Sequence, residues 1–447
     1  MKNKRAKISM VLALIGATLV SCSSDLEQPA TINERGVTAM TSSYVFGDAS
    51  TRVDLTEGTN GVEFHWSTGD EIAVVGYTLD EYETDKIFQM TNHKLTSLTS
   101  DRLWANFDGG AFKLSANAKY FSFYPYSASD ASISTNQCER YMRFTNQTQT
   151  GNGSLAHLGA YNYMVTGEVT TDADGACKFQ FKNSCCPVRL TLTLPESANG
   201  KNVTELTLTR YQNADHKFVT KAIQNMKDVS FGVISSVSEN DIALKLSLTN
   251  CTIPDDHTLV AWEMMYPVDH TTGTLPARYY ITVRCKDGTV YAGQSAGKKM
   301  DGGKAYRITA TLSDTQTLGC KQWSIRNQGA TLPYDEGTIY SSYPTELADN
   351  LPTEEQATEL TNSDNYDIML GSGYDSNGAK HFGIYIRPKS ADNSATPIFL
   401  PATTESGGSH YGYYWLKGGE KYLYFDANNE TLTVESVSGS LSAAVRD

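Results

Sequence analysis

The sequence predicts a mainly β protein: two β-sandwiches in tandem, followed by a smaller α+β module. Three observations carry this. From about Val37 onward, apolar and polar residues alternate with a period of two, the spacing that lines one face of a pleated strand. The strand-like runs are short and separated by Gly, Asn and Asp turns, as in sandwiches. Charged residues make up only 19% of the 447, while tyrosines number 26, a balance typical of β-rich extracellular proteins. The length accommodates two to four domains.

Residues 1–21 read as a leader. Lys2, Lys4, Arg5 and Lys7 precede the apolar run Met10–Val20, giving the basic start, short hydrophobic core and small-residue cut of a secretory signal. The run is short for a bilayer span. Its end, Leu19-Val20-Ser21-Cys22, resembles the bacterial lipobox. That resemblance implies cleavage before Cys22, with diacylglycerol on its sulfur and an N-acyl chain on its new amino group. An ordinary secretory signal with an incidental Cys, or a membrane anchor, is the alternative. More than one acyl chain suffices for stable anchoring, so the outer membrane is the expected location, and no other cofactor is expected. Residues 22–40 form a polar tether, Ser-Ser-Asp-Leu-Glu-Gln-Pro-Ala in its first part. This acidic, serine-rich stretch resembles the surface-export signals of lipoproteins in the Bacteroidota. The formal net charge is −13, and loss of the leader's four cations leaves −17. Such acidity argues against nucleic-acid partners and against basic-patch adhesion to lipid.

The first sandwich is placed at 41–186. Val62-Glu63-Phe64-His65-Trp66 alternates, Ser67-Thr68-Gly69-Asp70 turns, and Glu71 to Tyr77 reads as a strand buried on both faces. Ala118 to Tyr126 is an aromatic strand closed by Pro125. The second sandwich is placed at 187–314, on Val188 to Leu194, Val203 to Thr209, Leu259 to Tyr266, Tyr279 to Cys285 and Ala305 to Leu312. Each run offers one apolar face that a second sheet must cover. The third module, 318–447, is rich in Tyr, Gly, Asn and Ser. Thr353 as N-cap with Gln356 three residues on makes a capping box for a helix over 354–362. Strands are expected at Phe382 to Arg387, Tyr411 to Leu416, Tyr422 to Phe425 and Thr431 to Val434.

Seven cysteines besides Cys22 cannot all pair within one chain. Packing as small hydrophobes is the expected state, and a disulfide or two stays open in an oxidising compartment.

Phe64 to Val74, with its Trp66-Ser67-Thr68-Gly69-Asp70 turn, resembles the "W…GD.I.V" signature of the bacterial fimbrillin family. Phe121 to Tyr126 is similar to the family's "F.YP" strand, Phe144 to Gly151 and Tyr163-Met164-Val165 follow in order, and Gly303 to Leu312 looks like its closing strand. The likeness covers 41–314 and implies two transthyretin-like sandwiches in a pilus subunit or related surface lipoprotein of the Mfa-like kind. It also implies that proteolysis after an Arg removes a first strand, whose groove a neighbouring subunit then fills. Arg52, behind the strand-like run Val37 to Gly47, and Arg35 are the candidate cleavage residues; a strand permanently built into the first sheet is the alternative. In the last third, Asn350 to Gln356, Ile398 to Ala402 and Gly412 to Trp415 resemble the "LPT..E…FLPA…G.YW" pattern of C-type-lectin-like modules. Asp349 and Asn350 stand where Trp and Arg often precede that pattern, and no Glu-Pro-Asn or Gln-Pro-Asp triplet supplies a calcium sugar site.

Catalytic and metal motifs are weak. Gly293-Gln294-Ser295-Ala296-Gly297 fits a nucleophile elbow, but it lies between strands rather than before a helix. No metal site is expected: no HExxH spacing occurs, and Asp426 to Glu430 lacks calcium-loop spacing. Candidate ligand-binding residues are Tyr411, Tyr413, Tyr414 and Trp415, since such side chains give large contact area at low entropy cost. Alternation sends one set of these tyrosines outward, and Trp415 is expected in the core. The combined expectation is a non-enzymatic accessory or tip subunit. Its partners would be other fimbrial subunits by strand exchange and a host or bacterial surface protein or glycan. The second expectation is a non-polymerising glycan-binding lipoprotein engaged in nutrient capture.

Overall fold

In a computed structural model, the described residues are 37–41, 43–46, 61–79, 85–210, 217–226, 234–271, 278–389 and 396–447. The chain is mainly β, as expected, with one short α-helix among the described residues. Among the described residues no helix is long and apolar enough to cross a membrane.

The first sheet shows how alternation becomes a core. Its main path runs Cys177–Gln180, Val37–Met40, Trp104–Asp108, Lys86–Leu98, Glu71–Leu79, Lys119–Tyr124, Met164–Val165, Lys182–Asn183. Only Phe181 separates the first and last strands of this order in sequence, so the sheet curls until its ends adjoin. Trp66, Ile72, Val74, Phe107 and Phe179 fill the inside. The Trp66 ring meets Phe107, Tyr124 and Phe181 edge-on, at 5.0, 5.4 and 5.7 Å, the favoured aromatic geometry. Ala73, Val75, Phe121 and Phe123 point the other way into a second cluster, so Glu71–Leu79 is buried on both faces, as its sequence implies. The turn before it forms as read: Asp70 Oδ2 accepts from Ser67 N at 2.7 Å, and Gly69 takes φ +96°, a conformation that favours glycine.

The second sandwich packs two five-stranded sheets. One is ordered Gln147–Thr150, Ala243–Thr252, Asn202–Arg210, Arg278–Cys285, Val290–Ala296. The other is ordered Thr258–Met265, Cys186–Thr193, Lys304–Thr311, Ser43–Phe46, Gly61–Glu63. Leu190, Leu192, Leu206, Leu208, Leu246 and Ile281 interdigitate between them.

The division at 186/187 is crossed in both directions. Phe218–Asn225 pairs with Gln137–Arg143 over the outer face of the first sheet. Ser43–Phe46, Gly61–Glu63 and Gln147–Thr150 meanwhile extend sheets of the second sandwich. The run Val37 to Gly47 is likewise two strands rather than one, each in a different sheet. Alternation says which face of a strand is buried, not which sheet it joins.

The C-terminal module contains the helix Glu354–Leu360 with its Thr353/Gln356 capping box formed in both directions. It ends two residues earlier than expected. A three-stranded sheet (Tyr366–Tyr374, Lys380–Pro388, Ile398–Pro401) and a four-stranded one (Thr404–Ser406, Ser409–Trp415, Lys421–Asp426, Thr431–Ser436) enclose the core with it. Tyr366–Tyr374 is a strand that the sequence did not announce. The module rests on the outer face of the second sandwich through Tyr280, Tyr334, Tyr385 and Phe399.

None of the seven described cysteines is in a disulfide; six are buried and Cys320 is exposed. Burial pushes the thiols of Cys138 and Cys177 up to about 12, so they pack as inert hydrophobes.

Candidate functional site

Cys22, Arg35 and Arg52 lie outside the described residues. The four aromatic candidates divide by strand parity. Ser409–Trp415 pairs antiparallel with Lys421–Asp426, setting Tyr413 opposite Tyr424 and Trp415 opposite Tyr422. Tyr411 and Tyr413 therefore share an outward face with Tyr422 and Tyr424. Tyr414 points inward and is 2% exposed, donating to Pro401 O at 2.7 Å. Trp415 keeps the outward parity but is 3% exposed, because Tyr343 lies edge-on to it at 5.8 Å and Leu351, Ala443 and Val445 enclose it. Tyr414 and Trp415 thus leave the ligand-binding set, and the face gains Tyr422 and Tyr424. The period-two spacing of Tyr422 and Tyr424 was the available signal, but only the hairpin register shows that it is in phase with Tyr411 and Tyr413.

The four rings form one surface. Tyr411 and Tyr424 stack with centroids 6.3 Å apart and planes 13° apart. Tyr413 leans on Tyr424 at 5.3 Å and on Tyr422 at 5.8 Å. Partial burial raises the pKa of the Tyr422 and Tyr424 phenols, helped by the Glu435 and Asp426 carboxylates respectively. Their hydroxyls remain protonated donors at neutral pH. The next strand adds Thr433 and Glu435 to the same face. Beside it, His410 stacks on Phe382 at 4.3 Å and meets Glu405 Oε1 at 3.0 Å. The arrangement offers flat aromatic area with hydroxyl donors and acceptors, which suits adhesion.

The Asp426–Glu430 turn does not assemble as a cation loop. Asp426 accepts from the Asn428 and Asn429 amides at 3.0 and 3.3 Å, and Glu430 accepts from Leu370 N at 3.0 Å. No metal-holding cluster occurs among the described residues. Ser295 sits on Val290–Ala296, antiparallel to Arg278–Cys285, which is not the strand–turn–helix of a nucleophile elbow.

A second feature lies at the N-terminal strand. Val37–Met40 runs parallel to Cys177–Gln180 and antiparallel to Trp104–Asp108, bonded on both sides. Val37 and Ala39 enter the core, and Trp66 Nε1 donates to Ala39 O at 3.1 Å. Ser43–Phe46 fills the corresponding place between Lys304–Thr311 and Gly61–Glu63 in the second sandwich.

A family model described as fimbrillin-like matches residues 51–327. Among solved structures, the chain is similar to a candidate cell adhesion protein from Bacteroides ovatus at 14% identity and TM-score 0.40, covering 63% of this chain and 93% of that one. It is also similar to a fimbrial protein from Bacteroides ovatus at 11% identity and TM-score 0.32, covering 64% and 52%. A third likeness is to the fimbrial anchor protein Mfa2 from Porphyromonas gingivalis, at 12% identity and TM-score 0.26, covering 56% and 77%. No curated protein matches the chain significantly.

Proposed function

The chain belongs to the fimbrillin-like family and is a surface protein of the fimbrial type; on that premise we propose that it is an accessory or tip subunit that assembles by strand exchange and adheres through its C-terminal module. One observation carries the reading: four tyrosines project from a sheet in a module that follows the family-matched region. Lipid on Cys22 would hold the chain at the outer membrane. Cleavage after Arg52 would release Val37–Met40 and Ser43–Phe46 together and open a groove in each of two sheets, ready for a neighbour's strand. Cleavage after Arg35 would leave both strands in place, so Arg52 is the better candidate. Residues 443–447 are not free to act as a donor strand. Arg446 binds Asn327 Oδ1, Ser324 O and Phe399 O at 2.8, 2.9 and 2.6 Å, fastening that segment into the module. The tyrosine face would then meet a host or bacterial surface protein or glycan. The C-type-lectin-like character of the module belongs to the same proposal, with adhesion through tyrosine rather than calcium.

The test uses whole cells. Arg52→Ala should leave the protein unprocessed and absent from fibre ladders. Tyr411→Ala combined with Tyr424→Ala should leave ladders intact and abolish adherence. Ladders built by Arg52→Ala protein that still begins at Cys22 would overturn the strand-exchange route. A monomer in every strain that binds purified polysaccharide would establish the non-polymerising glycan-binding lipoprotein instead.

A further inference from the structure

A cleft of about 480 Å³ opens where the C-terminal module meets the second sandwich, within the ~300–1,000 Å³ of small-ligand sites. None of the four tyrosines of the outward face lines it. Its floor is the outward face of the sheet whose inner face carries Leu206, Leu246 and Ile281. Alternation that sends those leucines inward sends Thr207, Lys245 and Thr282 outward in one row, and Glu205, Ser247 and Arg284 in the next. The module supplies the wall through Tyr374 and the turn that follows it. The apolar contact of Tyr280, Tyr334, Tyr385 and Phe399 fixes floor and wall relative to one another.

We propose that this cleft binds a neutral oligosaccharide. Its carboxylates already hold donors. Glu205 pairs with Lys245. Asp241 accepts from the Tyr374 hydroxyl, at 2.8 and 2.9 Å to its two oxygens. Asp375 accepts from the Asn377 and Ala379 amides at 2.9 and 2.7 Å and meets His381 Nε2 at 3.2 Å. The Arg284 guanidinium makes no ion pair or hydrogen bond among the described residues and lies directly across the register from Glu205; its backbone O accepts from Thr204 Oγ1 at 3.2 Å. A cationic ligand would have to displace one of these donors, an expensive exchange in a partly buried site, and an anionic one drawn to Arg284 would face the Glu205, Asp241 and Asp375 carboxylates. A hydroxyl-rich neutral ligand needs no such exchange. It can use the remaining carboxylate lone pairs, the Thr207, Ser247 and Thr282 hydroxyls, and the guanidinium fork against a vicinal diol. Tyr374 adds a half-buried ring beside them. An extended peptide is poorly served here, because a sheet face presents no unpaired backbone ladder.

The experiment is calorimetric titration of the full-length, detergent-held protein with maltohexaose, laminarihexaose and mannohexaose, against hexagalacturonic acid and a mixed decapeptide pool. Binding of at least one neutral hexasaccharide is expected, with the acidic sugar and peptides weaker. Thr207→Trp, which places bulk on the solvent side of the floor, should weaken binding by about tenfold or more. Arg284→Gln, which leaves the volume nearly unchanged, should weaken it by several-fold. Tyr411→Ala with Tyr424→Ala should leave it unaltered, so a failure of the tyrosine face and a failure of the cleft read differently. The proposal is wrong if no neutral hexasaccharide binds, if hexagalacturonic acid or peptide binds more tightly, or if binding survives both cleft variants.

Discussion

Glu263 shares a strand face with Leu259, Ala261 and Met265, all members of the leucine core, and neither of its carboxyl oxygens meets a donor. Burial pushes its pKa from 4.5 up to about 8. The fold holds this proton more tightly than the unfolded chain does. Its cost to stability is therefore absent below pH 4.5, grows as pH rises, and is complete near pH 8. Glu263→Met should stabilise the protein on the order of 3 kcal/mol at pH 8 and by less than about 1 kcal/mol at pH 5. Thermal melts of both proteins at the two pH values check this, and an equal gain at both would contradict it. His93 acts with the opposite sign. It is 2% exposed, burial lowers its pKa to about 4, and its contribution is whole above its usual 6.5 and lost as pH falls toward 4. Residue chemistry of this sort was not legible in sequence. Ala261-Trp262-Glu263-Met264-Met265 invites the reading that Glu263 faces water, but it lies on the core side. Trp262 and Met264, on the opposite side of the strand, are covered too, by Val62, Phe64, Met142 and Phe144.

That double burial is an effect of elements. Thr258–Met265 is the last strand of its sheet, and an edge strand must satisfy or hide its backbone. The exposed Asn152 does so at one end, accepting from Val260 N at 2.7 Å and donating to Thr258 O at 3.1 Å, and two buried amide side chains do so further along. Gln147 accepts from Met264 N at 2.8 Å and donates to Met264 O at 2.7 Å. Gln149 accepts from Trp262 N at 2.7 Å and donates to Val260 O at 3.0 Å. Each amide imitates a paired residue, and both are fully buried. The run Phe144 to Gly151 was recognisable in sequence as a family landmark, and this sealing of an edge is its physical content. The sequence could not reveal it, since nothing local ties Gln149 to a strand 111 residues later. Gln149→Leu keeps the bulk and, while Val260 O keeps its bond from Gly153 N at 2.8 Å, strands the Trp262 N–H in the interior. It should cost about 2 kcal/mol, read as a lower denaturant midpoint with an unchanged slope. Gln149→Glu should restore one bond and lose the other, leaving a buried carboxylate that makes it worse than leucine at pH 8. A leucine variant as stable as the wild type would show that the edge needs no cover.

At the scale of the molecule, the legible part was most of the strands, the capped helix and the turn at Gly69; the assignment of strands to sheets was not. Local pattern fixes the pleat, while pairing of 43–46, 137–143, 147–150 and 218–225 across the expected division is decided by which edges are left open once the sheets form. The junction between sandwich and module was equally invisible, because its tyrosines read as surface residues. Tyr280 is fully buried, with ring centroids 5.6 Å from Tyr385 and 6.3 Å from Tyr334, and the Tyr334 and Tyr385 hydroxyls bond at 2.9 Å. Arg326 adds a tie from the module side to Gly288 O at 2.9 Å. Such a contact makes two cores melt as one, because opening either exposes the aromatic surface of both. Tyr280→Ala removes the ring that stands between them while leaving the leucine core and the module's own core intact. The expected outcome is a split calorimetric profile, with the first transition belonging to the module, and new protease cleavage between 312 and 330. A single transition, merely lowered by the ~3–5 kcal/mol typical of a truncated core aromatic, would mean that the two cores remain coupled through other contacts and that this ring is not their hinge.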